Sequence, residues 1–225
     1  MYVYSEFMER LKQISESRLH QVKTDFKRFL MDEIQWDDRM IGISGARGSG
    51  KTTLILQHMK SSLPAGAEAL YVILDDIYFA GNPVVLFAEE FYRKGGEYLF
   101  LDEVHKYPDW SRELKNIYDN LPDLKIIFTS SSALDIYKGG YDLSRRAVVY
   151  NLPGLSFREF LEFKYQFKFK AFTLEEILRE SKSVALGVTS KIRPLKFFEE
   201  YLQTGYYPFF IQAVINNCQL LQRGG

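Results

Sequence analysis

Between residues 39 and 152 the chain alternates two kinds of apolar pattern. Short continuous runs, "RMIGIS" (39–44), "ALYVILDD" (69–76), "EYLFLDE" (97–103), "KIIFTSS" (125–131) and "RAVVYNL" (146–152), read as buried strands. Between them lie segments with apolar residues three and four apart, which reads as helix: "KTTLILQHMKSSL" stopping at Pro64, "PVVLFAEEFYRKGG" closed by glycines, and "DWSRELKNIYDNL" with Trp110, Leu114, Ile117 and Leu121 in phase. Strands apolar on both faces and separated by helices predict a parallel sheet covered on both sides.

The flanks lack the strand pattern. Residues 5–34 carry Phe7, Leu11 and Ile14, then Leu19, Val22, Phe26, Phe29 and Leu30, the spacing of one or two amphipathic helices. After Pro153 only helices are predicted. Ser156 with Glu159, and Thr173 with Glu176, have capping-box spacing, and a third helix starts near Pro194 and stops at Gly205. The expected organisation is an N-terminal helical segment (1–34), an α/β core (35–154) and a helical, lid-like subdomain (155–225).

Composition narrows the class. The 29 basic and 29 acidic residues cancel, so no global field draws the chain to nucleic acid or anionic membrane. No stretch approaches the roughly 18 apolar residues of a membrane span, and "MYVYSEFMERLKQ" lacks the apolar segment of a signal peptide, so a cytoplasmic location without a membrane partner is expected. A single cysteine, Cys218, excludes an internal disulfide, and His20, His58 and His105 are scattered, so each reads as an ordinary surface or core residue. Aromatic residues reach 16%, with 18 Phe and 15 Tyr, enough to fill a large interior.

Within "GISGARGSGKTT" the run from Gly45 to Thr52 fits G-x-x-x-x-G-K-[ST] at each fixed position, after a strand and before a helix. Gly45, Ala46, Arg47, Gly48, Ser49, Gly50, Lys51, Thr52 and Thr53 are therefore the expected nucleotide-binding stretch, with backbone N–H groups at a helix N-terminus cradling phosphate. Lys51 is expected to reach the β and γ phosphates and Thr52 to ligate Mg²⁺. Asp102 ends an apolar strand, where it can hold the Mg²⁺ shell, and Glu103 follows it, where it can polarise a water. A GTPase would show D-x-x-G and N-K-x-D; the acidic pair is instead followed by "VHKY", and no N-K-x-D occurs. A carboxylate beside the Mg²⁺ aspartate is seldom needed by a small-molecule kinase. ATP hydrolysis is the favoured reaction. If the sheet has the strand order of P-loop ATPases, Ser131, or second to it Thr129, sits beside the acidic strand and can orient the water. Arg145 and Arg146 precede the last strand, where an arginine finger could reach a γ-phosphate in the same chain or a neighbouring subunit.

The phosphate loop, "LFLDEVHKYPDWSRELKNIYD", "KIIFTSSSALDI", the arginine before the fifth strand and "LPGLSFREFLEF" occur in one order. Together they resemble the bacterial and archaeal AAA+ superfamily ATPases in which the ATPase domain precedes an uncharacterised, often nuclease-like C-terminal domain. The resemblance spans about Ile34 to Phe163. It implies a five-stranded parallel P-loop NTPase sheet in the order 5-1-4-3-2, ATP with Mg²⁺ as ligand, and the roles above for Lys51, Thr52, Asp102, Glu103 and Ser131. It also implies a further domain beyond residue 225. The chain departs from the family at Thr129-Ser130-Ser131-Ser132, where T-G-S-S is usual, and at Gly205-Tyr206-Tyr207-Pro208, where G-G-[FY]-P is usual.

Two functions follow. The first is a Mg²⁺-dependent ATPase in which hydrolysis moves the helical subdomain. The second is a slow-turnover, nucleotide-dependent switch that docks a partner through the aromatic-rich "FFEEYLQTGYYPFF". ATP and ADP are the expected small-molecule partners; a finger acting in trans would require a homo-oligomer, and a protein or nucleic-acid partner is left open.

Overall fold

Five short strands pair in parallel to form one sheet: β1 (Met40–Ser44), β2 (Ala69–Ile73), β3 (Tyr98–Asp102), β4 (Lys125–Ser130) and β5 (Val148–Asn151), in the spatial order β2-β3-β4-β1-β5. This is the 5-1-4-3-2 order implied by the resemblance. The computed structural model describes residues 2–131, 143 and 145–211, so Ser132 and Cys218 lie outside the described residues. Contacts divide the chain into two compact units, Met1–Pro153 and Gly154–Gly225.

The period of two in each strand sends alternate residues to opposite faces. On one face Leu70, Val72, Leu99, Leu101, Ile126 and Phe128 pack with α4 (Val84–Arg93) and α5 (Trp110–Asn120) through Phe87, Phe91, Leu114 and Ile117. On the other, Ile41, Ile43, Tyr71, Phe100 and Ile127 meet α2 (Leu30–Glu33) and α3 (Lys51–Ser61) through Leu30, Met31, Leu54, Ile55 and Met59. The two edges differ. Along β2 runs α1 (Tyr2–Gln21), whose Ser15 hydroxyl accepts the Tyr71 amide at 3.1 Å, so that this edge is covered. At β5, Val148 and Val149 are 43% and 38% exposed, although the apolar run predicts a strand buried on both faces. The reason is position: β5 has a partner on one side only.

In the second unit α6 (Phe157–Tyr165), α7 (Leu174–Thr189) and α8 (Pro194–Thr204) follow one another. Both expected capping boxes form, Ser156 with Glu159 and Thr173 with Glu176. The helices α6 and α8 join through aromatic rings, Tyr165 edge-on to Phe197 at 4.9 Å and Phe157 against Tyr201 at 5.6 Å, and through Lys164 and the Tyr165 hydroxyl on the Glu200 carboxylate. The sequence marks α7 only over "TLEEILRE", and Glu180, its last residue, has non-helical angles that kink the helix; a second helical stretch beyond the kink runs through Gly187 to Thr189. One glycine costs about 1 kcal/mol, too little to stop a helix whose hydrogen bonding continues on both sides. At the departure from G-G-[FY]-P, the Tyr206 ring lies against Gly154 so closely that a Cβ there would stand 1.6 Å from it, and Leu155 donates its amide to the Tyr206 carbonyl at 2.6 Å.

Candidate active site

The loop leaves the carboxyl end of β1 and turns into α3. Gly50 makes that turn with φ of 97°, a left-handed conformation that suits glycine, and no side chain caps the helix start. Gly45 is needed for a different reason: a Cβ there would lie 2.4 Å from the Leu152 carbonyl oxygen, since the loop passes directly over the end of β5. Arg28, 4% exposed, braces the loop from outside, donating to the Ser49 carbonyl at 2.5 Å and the Pro153 carbonyl at 2.8 Å. The Ser49 hydroxyl is buried without a hydrogen-bond partner. Lys51 is also buried and folds back over the loop, its Nζ donating to the carbonyls of Gly45 at 2.8 Å and Ala46 at 3.2 Å. Burial lowers the Lys51 ammonium below the ordinary lysine range, partly offset by the carboxylates of Glu103 and Asp102. A desolvated cation, an orphan hydroxyl and an uncapped helix N-terminus in one loop make an anion site. Ala46, Arg47 and Thr53 are exposed.

Asp102 is the hub of the opposing wall. Strand order puts β3 one strand beyond β4, and Asp102, 2% exposed, receives the Thr52 hydroxyl at 2.7 Å, the Tyr71 hydroxyl at 2.7 Å and the Thr129 hydroxyl. Burial first, and then the neighbouring Asp102 charge, push the Tyr71 phenol up, so it remains a protonated donor. Thr129 also accepts the Glu103 amide at 3.0 Å, which ties β3 to β4.

Glu103 has φ of 57° and ψ of 40°, an uncommon left-handed conformation for a non-glycine residue, and it swings the chain from β3 into a single 3₁₀ turn, Val104–Lys106. Its carboxylate stands 3.4 Å from the Ser131 hydroxyl through both oxygens. Lys51, Thr52, Asp102, Glu103, Thr129 and Ser131 thus gather at one edge of the sheet, with Thr129 on the Asp102 side and Ser131 on the Glu103 side.

The two arginines are not gathered with them. Val148 pairs with Ile41 at the start of β1, so Arg146 precedes the sheet's amino end, roughly 13 Å or more of strand from Gly45. Its guanidinium grips Asp119 with both ends, at 2.7 and 2.9 Å, and Arg145 is exposed. A phosphate on this chain's own loop is beyond their reach. Two residues of the site escaped the sequence reading: Arg28 and Tyr71. A tyrosine inside the otherwise aliphatic "ALYVI" was a usable signal for Tyr71; nothing in the pattern around Arg28 marked it as buried.

A P-loop NTPase is the class that this sheet order and this loop-and-carboxylate edge define. The chain belongs to the family described as AAA domain, whose model matches residues 37–161, more than half of its length. No curated protein matches the chain. Solved structures similar to it include a DNA replication initiation factor (TM-score 0.51, 16% identity, covering 96% of this chain and 64% of that one) and AMPPCP-bound DnaA from Aquifex aeolicus (0.49, 16%, 92% and 59%). PCH-2 from C. elegans is a third (0.43, 18%, 79% and 47%). The chain spans about half to two thirds of the length of these structures, and its likeness to the initiation factor is one of fold.

Proposed function

We propose that this chain binds ATP with Mg²⁺ and hydrolyses it. The observation that carries the reading is the convergence of Lys51 and Thr52, at a helix start, with Asp102 and Glu103, at the end of one strand, beside the phosphate loop. On ATP binding, Lys51 exchanges the Gly45 and Ala46 carbonyls for phosphate oxygens, and the Ser49 hydroxyl gains an acceptor. The Thr52 hydroxyl and Asp102 carboxylate are hard oxygen donors on one spot, which fits Mg²⁺. Among the described residues no cluster of three His, Cys, Asp or Glu side chains forms an all-protein cage, as suits an ion held largely by nucleotide oxygens. When bound, the ion supplies neutralisation of phosphate charge. Glu103 takes a proton from water, the water oxygen bonds to the γ-phosphorus, and the bond to the β-phosphate bridging oxygen breaks, releasing ADP and phosphate. Ser131 orients that water. Arg145 and Arg146 could act only on a nucleotide bound to another copy. The same reading takes residues 35–154 as ATPase core, 1–34 as an N-terminal helical segment and 155–225 as a lid-like subdomain before a family-type C-terminal domain, with hydrolysis coupled to movement of the lid.

The test is Glu103→Gln. ATP affinity is expected to stay within about twofold while turnover drops by ~10²-fold or more, the scale of losing a general base. Unchanged turnover would sink the reading. A second reading, a slow-turnover switch with a docking partner, draws on Phe198, Tyr206, Phe209 and Phe210, which are 40%, 47%, 66% and 57% exposed. Brisk turnover by the chain alone would count against it. Among the described residues no helix is long and apolar enough to cross a membrane.

A further inference from the structure

His105 has no role in the site described so far, yet its ring stands between the two groups that must meet at the γ-phosphate. Its position follows from the backbone. The ladder between β3 and β4 ends at Leu101 and Phe128, and β4 itself ends at Ser130, so the Ser131 amide lies beyond the ladder. The left-handed turn at Glu103 brings the chain back, the Lys106 and Tyr107 amides close the 3₁₀ turn on the Glu103 and Val104 carbonyls at 2.9 and 3.0 Å, and Val104 anchors it, fully buried. That rigid turn sets the His105 ring, 16% exposed, with Nδ1 accepting the Ser131 amide at 3.3 Å and Nε2 standing 3.4 Å from Glu103 Oε2. Because Nδ1 accepts, the neutral ring carries its proton on Nε2, the atom that faces the carboxylate.

We propose that His105 is a positioning residue: it links the residue that senses the γ-phosphate, Ser131, to the carboxylate that activates water, Glu103, so that the two are aligned together. The inference rests on the hydrolysis reading above. Its Nε2–H holds Oε2, so that Oε1, beside the Ser131 hydroxyl, faces the water whose proton it takes, while its Nδ1 fixes the amide from which that hydroxyl is aimed. Distances of 3.3 to 3.4 Å are longer than compact hydrogen bonds, and contacts of this kind tighten when substrate is bound.

The experiment measures kcat, KM for MgATP and thermal unfolding for His105→Ala, His105→Asn and His105→Gln, beside Glu103→Gln. In the alanine variant kcat is expected to fall ~10-fold to ~100-fold, the scale of a misaimed catalytic group, with KM within about twofold. The asparagine side chain can replace Nδ1 as acceptor for the Ser131 amide but cannot reach Glu103; glutamine can reach Glu103 but cannot cap that amide. Positioning of Glu103 therefore requires the glutamine variant to recover more of kcat than the asparagine one, whatever the unfolding temperatures show. Full recovery by asparagine, or wild-type kcat in the alanine variant, overturns the proposal, because His105 then only caps a backbone amide. Should Glu103→Gln turn over as fast as wild type, the hydrolysis reading itself fails; loss of turnover there with wild-type behaviour at His105 fails this inference alone.

Discussion

A buried guanidinium is costly unless each end finds an acceptor, and Arg28 spends its two ends on carbonyls of different segments, Ser49 in the loop and Pro153 after β5. That makes it a strut for the phosphate loop rather than a ligand of phosphate. Arg28→Met should leave both carbonyls unpaired and cost about 2–3 kcal/mol, lowering Tm by roughly 5–10 °C. Nucleotide affinity should fall with it, measured by calorimetry, because the loop loses its brace. Arg28→Lys should recover part of the stability, since a point ammonium cannot span two carbonyls as the planar fork does. The residue scale is also where sequence reasoning was uneven. Lys51, Thr52, Asp102 and Glu103 announced themselves through motif spacing, whereas Arg28 and Tyr71 meet partners 21 and 31 positions away, and His105 joins its near neighbour Glu103 to Ser131, 26 positions on; no local pattern encodes such long-range pairs.

Among the elements, those with local causes were legible. The capping boxes at Ser156 and Thr173 form because hydroxyl, glutamate and backbone amides lie within one turn. Ser156→Ala should destabilise the start of α6 by about 1 kcal/mol, seen as hydrogen exchange of its first-turn amides about fivefold faster. The helical stretch beyond the kink at Glu180 was not legible, because "TLEEILRE" ends at that kink and Gly187 reads as a breaker although it lies inside the second stretch. Nor was the exposure of β5: an apolar run says that a strand exists, and only pairing says whether it is an edge.

For the whole molecule, one buried histidine should govern acid stability in the first unit. His58 is 5% exposed, stacks on Trp36 at 3.6 Å, and has a buried Nδ1 without a partner. Burial, and after it the charge of Lys125, lowers its pKa from 6.5 to about 4. The unfolded chain therefore binds this proton at higher pH than the folded one. Its stability contribution is intact above pH 6.5, declines as pH falls toward 4, and amounts to about 3 kcal/mol once lost. Denaturant midpoints should fall over that window, and His58→Phe, which keeps an aromatic stack and removes the titration, should flatten that limb.

Strand count, strand identity, the phosphate loop, the acidic pair and the helical caps were determined by the sequence by itself, because each depends on residues within a few positions of one another. Strand order was available only through resemblance, since hydrogen bonding between β1 and both β4 and β5 joins segments far apart in the chain. What the tertiary structure alone decided is which side chains complete the site. It brought Tyr71 and Thr129 onto Asp102 and His105 between Glu103 and Ser131, and it carried Arg146 to the far end of the sheet, onto Asp119. In a parallel sheet the carboxyl edge collects the ends of strands distant in sequence, so the residues that meet there are set by register and strand order.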